Sequence, residues 1–303
     1  MHLVIQGTEI ETRDLKDIAK LSGASAIERL SDQAFRLRDA KPATELAARC
    51  AEARLDHGFV PEDRRLSDFR LLVMDMDSTL ITMETIDELA DMVNIKPQVA
   101  AITERAMRGE IEYDQSLRER LALLAGLDVS ALQRVYDERL KFSPGAELML
   151  AKARAAGIKT LLVSGGFTFM TDRLKDRVQL DHTHSNVLEI IDRKLTGRVT
   201  GGIVNADAKR AALLKVAGAL GIGKAQIAGV GDGANDLKFM AECGVSVAYR
   251  AKPVVREQTT YAINHAGLDA DHHGNHRRAG GHGPHQAAGG RDHRTRDARR
   301  NRI

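Results

Sequence analysis

The 303-residue sequence predicts an open, mostly parallel α/β sheet with a helical insertion, preceded by a small α+β unit. Three observations lead there. Short apolar runs end abruptly on polar residues, helical stretches alternate with them, and the first 66 residues follow a different, shorter rhythm.

The apolar runs carry the sheet. Leu71-Leu72-Val73-Met74 ends on Asp75, Thr160-Leu161-Leu162-Val163 on Ser164, and Ile227-Ala228-Gly229-Val230-Gly231 on Asp232. Continuous runs of this length suit strands buried on both faces of a parallel sheet. Helical patterns over 145–156 and 208–220 precede the second and third runs, the alternation expected of an α/β sheet. Such sheets bind ligands outside the carboxyl ends of their strands, so one pocket can collect Asp75, Ser164 and Asp232. Between 85 and 140 apolar residues recur at helical spacing, broken by Pro97, Gly109 and Gly126. This predicts four short helices, a small bundle over the sheet edge. Segments 187–191 and 195–200 predict a hairpin flanking the sheet.

Residues 1–66 read as strand 3–6, helix 12–21, strands 26–30 and 34–37, and helix 43–55, opened by Lys41-Pro42. The order β-α-β-β-α is most of a ferredoxin-like unit, lacking its final strand. Residues 57–70 read as a polar connector. The expected organisation is therefore a unit over 1–66, a core over 67–84 and 141–268, an inserted helical layer over 85–140, and a tail over 269–303.

Composition narrows the classes. Aromatics make up 4% and Trp is absent, so the core rests on Leu, Ile, Val, Ala and Met. Cys50 and Cys243 form neither a zinc nor a disulfide pattern, which points to a reduced, cytoplasmic setting. The N-terminus lacks the basic and apolar regions of a secretory signal. No apolar run reaches the roughly 20 residues of a membrane span. The net charge of +3 owes itself to residues 271–303, with eight Arg and three Asp; the remainder carries −2. Nucleic-acid binding by the folded part is not expected. The His-, Arg- and Gly-rich tail has too little apolar surface to offset ordering entropy, so disorder is expected there rather than a metal- or nucleic-acid-binding role. The abruptness of the change also admits an out-of-frame origin.

Four groups carry candidate chemistry. Asp75 and Asp77, two residues apart at a strand end, can give a nucleophile and an acid, or two oxygen ligands for a hard cation, or simply two loop polar residues. Ser164-Gly165-Gly166 offers a hydroxyl and glycine N–H groups as an anion site, or an ordinary strand-to-helix turn. Gly231-Asp232-Gly233-Ala234-Asn235-Asp236 crowds two carboxylates and an amide into one turn, which favours a cation or reads as an Asx-type turn. Lys209 at a helix start is by itself an ordinary surface lysine.

Taken in order, DMDST, the strand-ending Ser164, Lys209 and GDGAND resemble the four signatures of the haloacid dehalogenase (HAD) superfamily, over about residues 69–265. Within it the chain is most similar to the phosphoserine phosphatases, on DMDSTLITMETIDELA, TERAMRGEIEYDQSLRERL and LVSGGFTFMTDRL. Residues 1–66 resemble the ACT-like unit of bacterial members. The resemblance implies a Rossmann-like open parallel sheet under a helical-bundle cap, and a Mg²⁺-dependent phosphatase releasing L-serine from O-phospho-L-serine, the last step of serine biosynthesis. It implies that Asp75 attacks phosphorus and that Asp77 protonates the leaving oxygen and then activates water. It further implies Mg²⁺ on Asp75, the Asp77 carbonyl and Asp232, with Asp236 supporting the site from behind. Phosphate would be held by Ser164, the Gly165 amide and Lys209, with Asn235 nearby. Glu84 would meet the substrate ammonium, Arg120 its carboxylate, and Met107 and Tyr113 an apolar wall; many members carry Phe where Tyr113 stands. Without the resemblance, Arg118 and Arg120 read as surface charges and Met107 and Tyr113 as core.

ACT-like units often pair, so the resemblance allows a homodimer. Two other readings stand beside the first. One is a phosphotransferase or a phosphatase for another small phosphomonoester. The other is an amino-acid-binding regulatory protein with a dead HAD domain, against which the intact Asp75, Asp77, Lys209 and Asp232 argue.

Overall fold

The structure is a computed structural model, described over residues 1–269; the tail lies outside these described residues, apart from Asp269. It opens with β1 (His2–Gln6), α1 (Thr12–Leu21), β2 (Ala26–Ser31), β3 (Ala34–Arg38), α2 (Leu46–Glu52) and β4 (Asp56–Val60). The four strands form one antiparallel sheet in the order β2-β3-β1-β4. Leu3 and Ile5 of β1 pack with Leu15, Ile18, Leu37 and Leu46 into a private core, while Val4 and Val60 turn to the other face and join the main core. β4 corrects the sequence reading twice: the unit has its final strand, and the stretch from His57 is not wholly connector. Asp56-His57-Gly58-Phe59-Val60 lacks an apolar rhythm because its buried polar residue is satisfied by a distant segment, described below. α2 is also shorter than the helix expected over 43–55.

The second sheet begins with β5 (Leu71–Met74). The insertion follows as α3 (Thr85–Met92), α4 (Lys96–Met107), α5 (Tyr113–Ala122) and α6 (Ser130–Arg134), the four helices that the spacing predicts. The chain returns through α7 (Ala146–Ala155), β6 (Lys159–Phe167), α8 (Thr168–Val178), β7 (His182–Ile191), β8 (Lys194–Thr200), α9 (Ala206–Leu220), β9 (Ile227–Gly231), α10 (Leu237–Met240), β10 (Val245–Tyr249), α11 (Pro253–Arg256) and β11 (Tyr261–Ile263). The seven strands run in the order β11-β10-β9-β5-β6-β7-β8, parallel except for β8, which closes an antiparallel hairpin with β7.

The pleat explains the unbroken apolar run of β5. Leu71 and Val73 face one layer with Leu213 and Phe239, while Leu72 and Met74 face the opposite one with Leu150 and Leu174. A strand covered on both faces has no polar side to display. The β7–β8 hairpin has a second use as the seat of the insertion. Gly126 N–H donates to the Leu195 carbonyl at 2.8 Å and Val129 N–H to the Arg193 carbonyl at 2.8 Å. Gly197 lies so close beneath α5 that a Cβ there would stand 3.0 Å from the Leu121 carbonyl oxygen.

β4 is bound to the far edge of this sheet. The Asp56 carboxylate accepts the backbone N–H groups of Asn264, His265 and Ala266 at 2.8, 2.9 and 2.8 Å. The Tyr261 hydroxyl donates to the Phe59 carbonyl at 3.1 Å. Gly58 lies under the Tyr261 ring, where a Cβ would approach it to 2.8 Å. Cys50 and Cys243 are both free and buried.

Candidate active site

The strand ends bring the predicted residues together. β5 lies between β6 and β9, so Asp75, Ser164 and Asp232 emerge side by side. After Asp75 the chain makes one wide turn, with Ser78 left-handed at φ 55° and its N–H donating to the Met83 carbonyl at 3.1 Å. This turn folds Asp77 back over the strand end. Its Oδ1 accepts the Thr85 hydroxyl at 2.6 Å and the Thr85 N–H at 3.0 Å. Its Oδ2 points at Gly166, where a Cβ would meet it at 2.7 Å. Burial pushes the Asp77 carboxyl up to about 6, with the Thr85 hydrogen bonds opposing the shift. A group of that strength can hold a proton and release it near neutrality.

Lys209 is not a surface lysine: it is fully buried, one turn into α9. Its Nζ donates to Asp75 Oδ1 and to Asp236 Oδ1, each at 2.8 Å. Burial opposes the ammonium charge, but Asp236 and Asp75 outweigh it and its pKa rises. Asp236 uses its other oxygen on the N–H groups of Asp232 and Gly233, at 3.2 and 3.0 Å. Gly231 is needed below it, since a Cβ there would lie 2.6 Å from that oxygen. Asp232 Oδ1 accepts the Thr79 hydroxyl at 2.7 Å. Burial and the neighbouring Asp236 raise the Asp232 carboxyl to about 7, and burial with Asp236 raises Asp75 well above its usual range.

Burial is the first cause of the carboxyl shifts, and charge crowding adds to it: among the described residues four carboxylates share that space with one lysine, so negative charge there is under-compensated. Asp75, Asp232 and Asp236 offer ligand oxygens that all lie within 4.8 Å of one another. An all-oxygen donor set without His or Cys fits a hard divalent cation.

The anion side is built on β6. Ser164 Oγ, fully buried, accepts the Gly166 N–H at 2.8 Å. Asn186 fixes the loop from behind: its Nδ2 donates to the Gly165 carbonyl and its Oδ1 accepts the Val204 N–H, both at 2.8 Å. Asn205 caps α9 by accepting the N–H groups of Asp207 and Ala208, and its Nδ2 donates to Asp114 Oδ1 at 3.1 Å, tying the insertion to the core.

The insertion residues divide. Glu84 Oε1 accepts the Ser78 hydroxyl at 2.7 Å. Water reaches Glu84, yet enough protein surrounds its carboxyl to raise it to about 7, the Asp77 charge adding to the burial. Arg120 is half-buried on α5 and Arg118 is exposed. Arg120 Nε donates to the Ser116 carbonyl at 3.3 Å, and among the described residues the guanidinium makes no ion pair. Tyr113 sits over Gly165, whereas Met107 ends α4 with 62% of its surface exposed, beside Lys252. Asn235 is half-buried on the Asp232 turn, its Oδ1 against Gly233. The sequence reading missed Thr79, Thr85, Asn186 and Asn205. Asn205 had a signal, an N-capping residue just ahead of a helical pattern; Asn186 had none, because both its partners come from other segments.

Comparison with known proteins places the chain. The haloacid dehalogenase-like hydrolase family model matches residues 72–241, and a domain of unknown function, DUF4072, matches residues 3–47. The phosphoserine phosphatase of Polaromonas sp. (strain JS666) is 54% identical over 212 residues, covering 68% of this chain and 90% of that protein. A HAD family hydrolase from Salmonella enterica serovar Typhi superposes with a TM-score of 0.80 at 31% identity, covering 88% of this chain and 95% of the other. A probable phosphoserine phosphatase from Vibrio cholerae superposes with a TM-score of 0.77 at 35% identity, covering 88% and 84%. With its signature carboxylates, serine and lysine gathered at one sheet edge, this chain belongs to the haloacid dehalogenase-like hydrolase family.

Proposed function

We propose that this protein is a phosphoserine phosphatase that hydrolyses O-phospho-L-serine to L-serine and phosphate. The observation that carries the reading is Lys209 Nζ clamped at 2.8 Å between Asp75 and Asp236, which sets the Asp75 carboxylate beside the Ser164–Gly166 anion site. The Polaromonas relative is a phosphoserine phosphatase and the Vibrio cholerae structure is that of a probable one, which supports the substrate.

In this reading Asp75 attacks phosphorus in line, the P–O bond to serine breaks, and Asp77 gives its proton to the departing serine oxygen. Asp77 then takes a proton from water, the hydroxide attacks the aspartyl-phosphate, and Asp75 leaves as a free carboxylate. Ser164, the Gly165 amide and Lys209 hold the phosphoryl oxygens, with Asn235 beside them. Asp75, the Asp77 carbonyl and Asp232 would hold Mg²⁺; when bound, it neutralises charge on the transferring group. Asp236 keeps Lys209 and the Asp232 turn in place. Glu84 takes the substrate ammonium, Arg120 the carboxylate, and Tyr113 and Met107 give the carbon chain apolar neighbours. The substrate is a small molecule, and we place the reaction in the cytoplasm. No helix among the described residues is long and apolar enough to cross a membrane.

Phosphate release from phosphoserine, phosphothreonine and sugar phosphates, with Mg²⁺ and with EDTA, tests this. Phosphoserine should be preferred and EDTA should abolish release. Equal rates on all substrates would remove the serine assignment; no release from any would remove the phosphatase reading.

A further inference from the structure

We propose that the Tyr113 hydroxyl is itself a phosphate-binding donor, completing the anion site over Gly165 from the insertion side. The inference rests on the reading that the Ser164–Gly166 loop receives the phosphoryl group, and goes beyond the apolar-wall role of the ring.

Three observations carry it. The first is position. The hydroxyl oxygen lies so close above Gly165 that a Cβ there would stand 2.0 Å from it. The Gly165 backbone cannot withdraw, because Asn186 holds its carbonyl at 2.8 Å. The second is anchoring. Tyr113 is the first residue of α5, and the next, Asp114, accepts the Asn205 amide at 3.1 Å. Asn205 in turn caps α9, the helix that carries Lys209. The hydroxyl and the ammonium are thus held from one helix start. The third is the unmet hydrogen bond. Among the described residues the Tyr113 hydroxyl has no hydrogen-bond partner, and the residue is half-buried, so the hydroxyl is open to a ligand. A phenol placed this way, with no protein acceptor, is set to donate to a ligand oxygen.

Its protonation fits that role. Burial pushes the phenol up to about 12, with Lys209 and Arg120 opposing, so it keeps its proton throughout the neutral range. It therefore adds a donor without adding charge. A Phe at this position would keep the apolar contact and lose the donor, which makes Tyr113→Phe a clean probe.

The test is titration calorimetry of inorganic phosphate, and separately of L-serine, into the Mg²⁺-loaded full chain and its Y113F variant. Phosphate affinity should fall about tenfold, as expected for one hydrogen bond to a charged acceptor, while serine affinity stays within about twofold. Unchanged phosphate affinity overturns the proposal. So does an equal loss for both ligands, which would mean that the hydroxyl only positions the ring. A loss for serine alone would assign the hydroxyl to the serine end and also overturn it. The phosphate titration does not depend on which phosphomonoester is turned over. If phosphoserine is not hydrolysed, the substrate reading falls while this proposal is still read by its own measurement.

Discussion

Replacing Asp56 by Ala should release the grip of the N-terminal sheet on the catalytic sheet. The carboxylate accepts three backbone N–H groups, from Asn264, His265 and Ala266, at 2.8 to 2.9 Å, and Asp56 is only 3% exposed. A hydrogen bond to a charged group contributes about 1.5–3 kcal/mol. The three share one carboxylate, two of them one oxygen, so they do not add fully. The expected loss is roughly 3–5 kcal/mol, because three donors are left facing a cavity. Asp56→Asn should lose about half of that, since its oxygen can serve one side of the site while its NH₂ faces a donor on the other. Amide hydrogen exchange at Asn264, His265 and Ala266 reads the effect where it arises. At 1.4 kcal/mol per factor of ten, Asp56→Ala should speed exchange there by roughly 10²- to 4 × 10³-fold. Denaturant midpoints should fall in the same order, Ala below Asn below wild type. If the three amides exchange within a few-fold of wild type in the Ala variant, the clasp is not what holds β11 to β4.

Lys209→Met leaves Asp75 and Asp236 buried without a counter-charge, so stability should drop by about 3–5 kcal/mol and phosphate release by about 10²–10³-fold; a variant with near-wild-type turnover would exclude Lys209 from the phosphate site. Glu84 gives a pH signature. With its carboxyl raised to about 7, the ammonium partner is neutralised as pH falls from 8 to 6. KM for phosphoserine should therefore rise over that interval, while a phosphomonoester without an ammonium shows no such rise and Glu84→Gln flattens the profile. The sign for stability is opposite in direction. The folded carboxyl titrates above its unfolded value of 4.5, so the folded state binds the extra proton and loses stability as pH rises from 4.5 to 7. A KM profile identical in wild type and Glu84→Gln would place Glu84 away from the ammonium.

The sequence by itself determined the strands that carry the chemistry. Leu71–Met74 suits a strand covered on both faces, and Asp75 at its end became legible as a functional carboxylate through the ordered set of DMDST, Ser164, Lys209 and GDGAND. The same holds for Ser164 and Asp232, because a local apolar rhythm fixes both the element and its terminus. The four insertion helices were legible for the same reason, since a 3.6-residue period is written within one segment. Where a residue's environment comes from a distant segment, no local pattern exists to read. Asp56 makes a strand of a stretch that reads as a connector, because its partners lie 208 to 210 positions away. β11 has three residues and is placed by pairing with β10. By its local pattern Lys209 read as a surface lysine and only the resemblance singled it out; its burial and its partners Asp75 and Asp236, 134 and 27 positions away, came from the fold. Tyr113 read locally as a core aromatic and by resemblance as an apolar wall; only the fold set its hydroxyl over Gly165. The chain encodes periodicity locally, but the charge balance and the hydrogen-bond partners of a site are properties of the assembled edge, and only tertiary structure decides them.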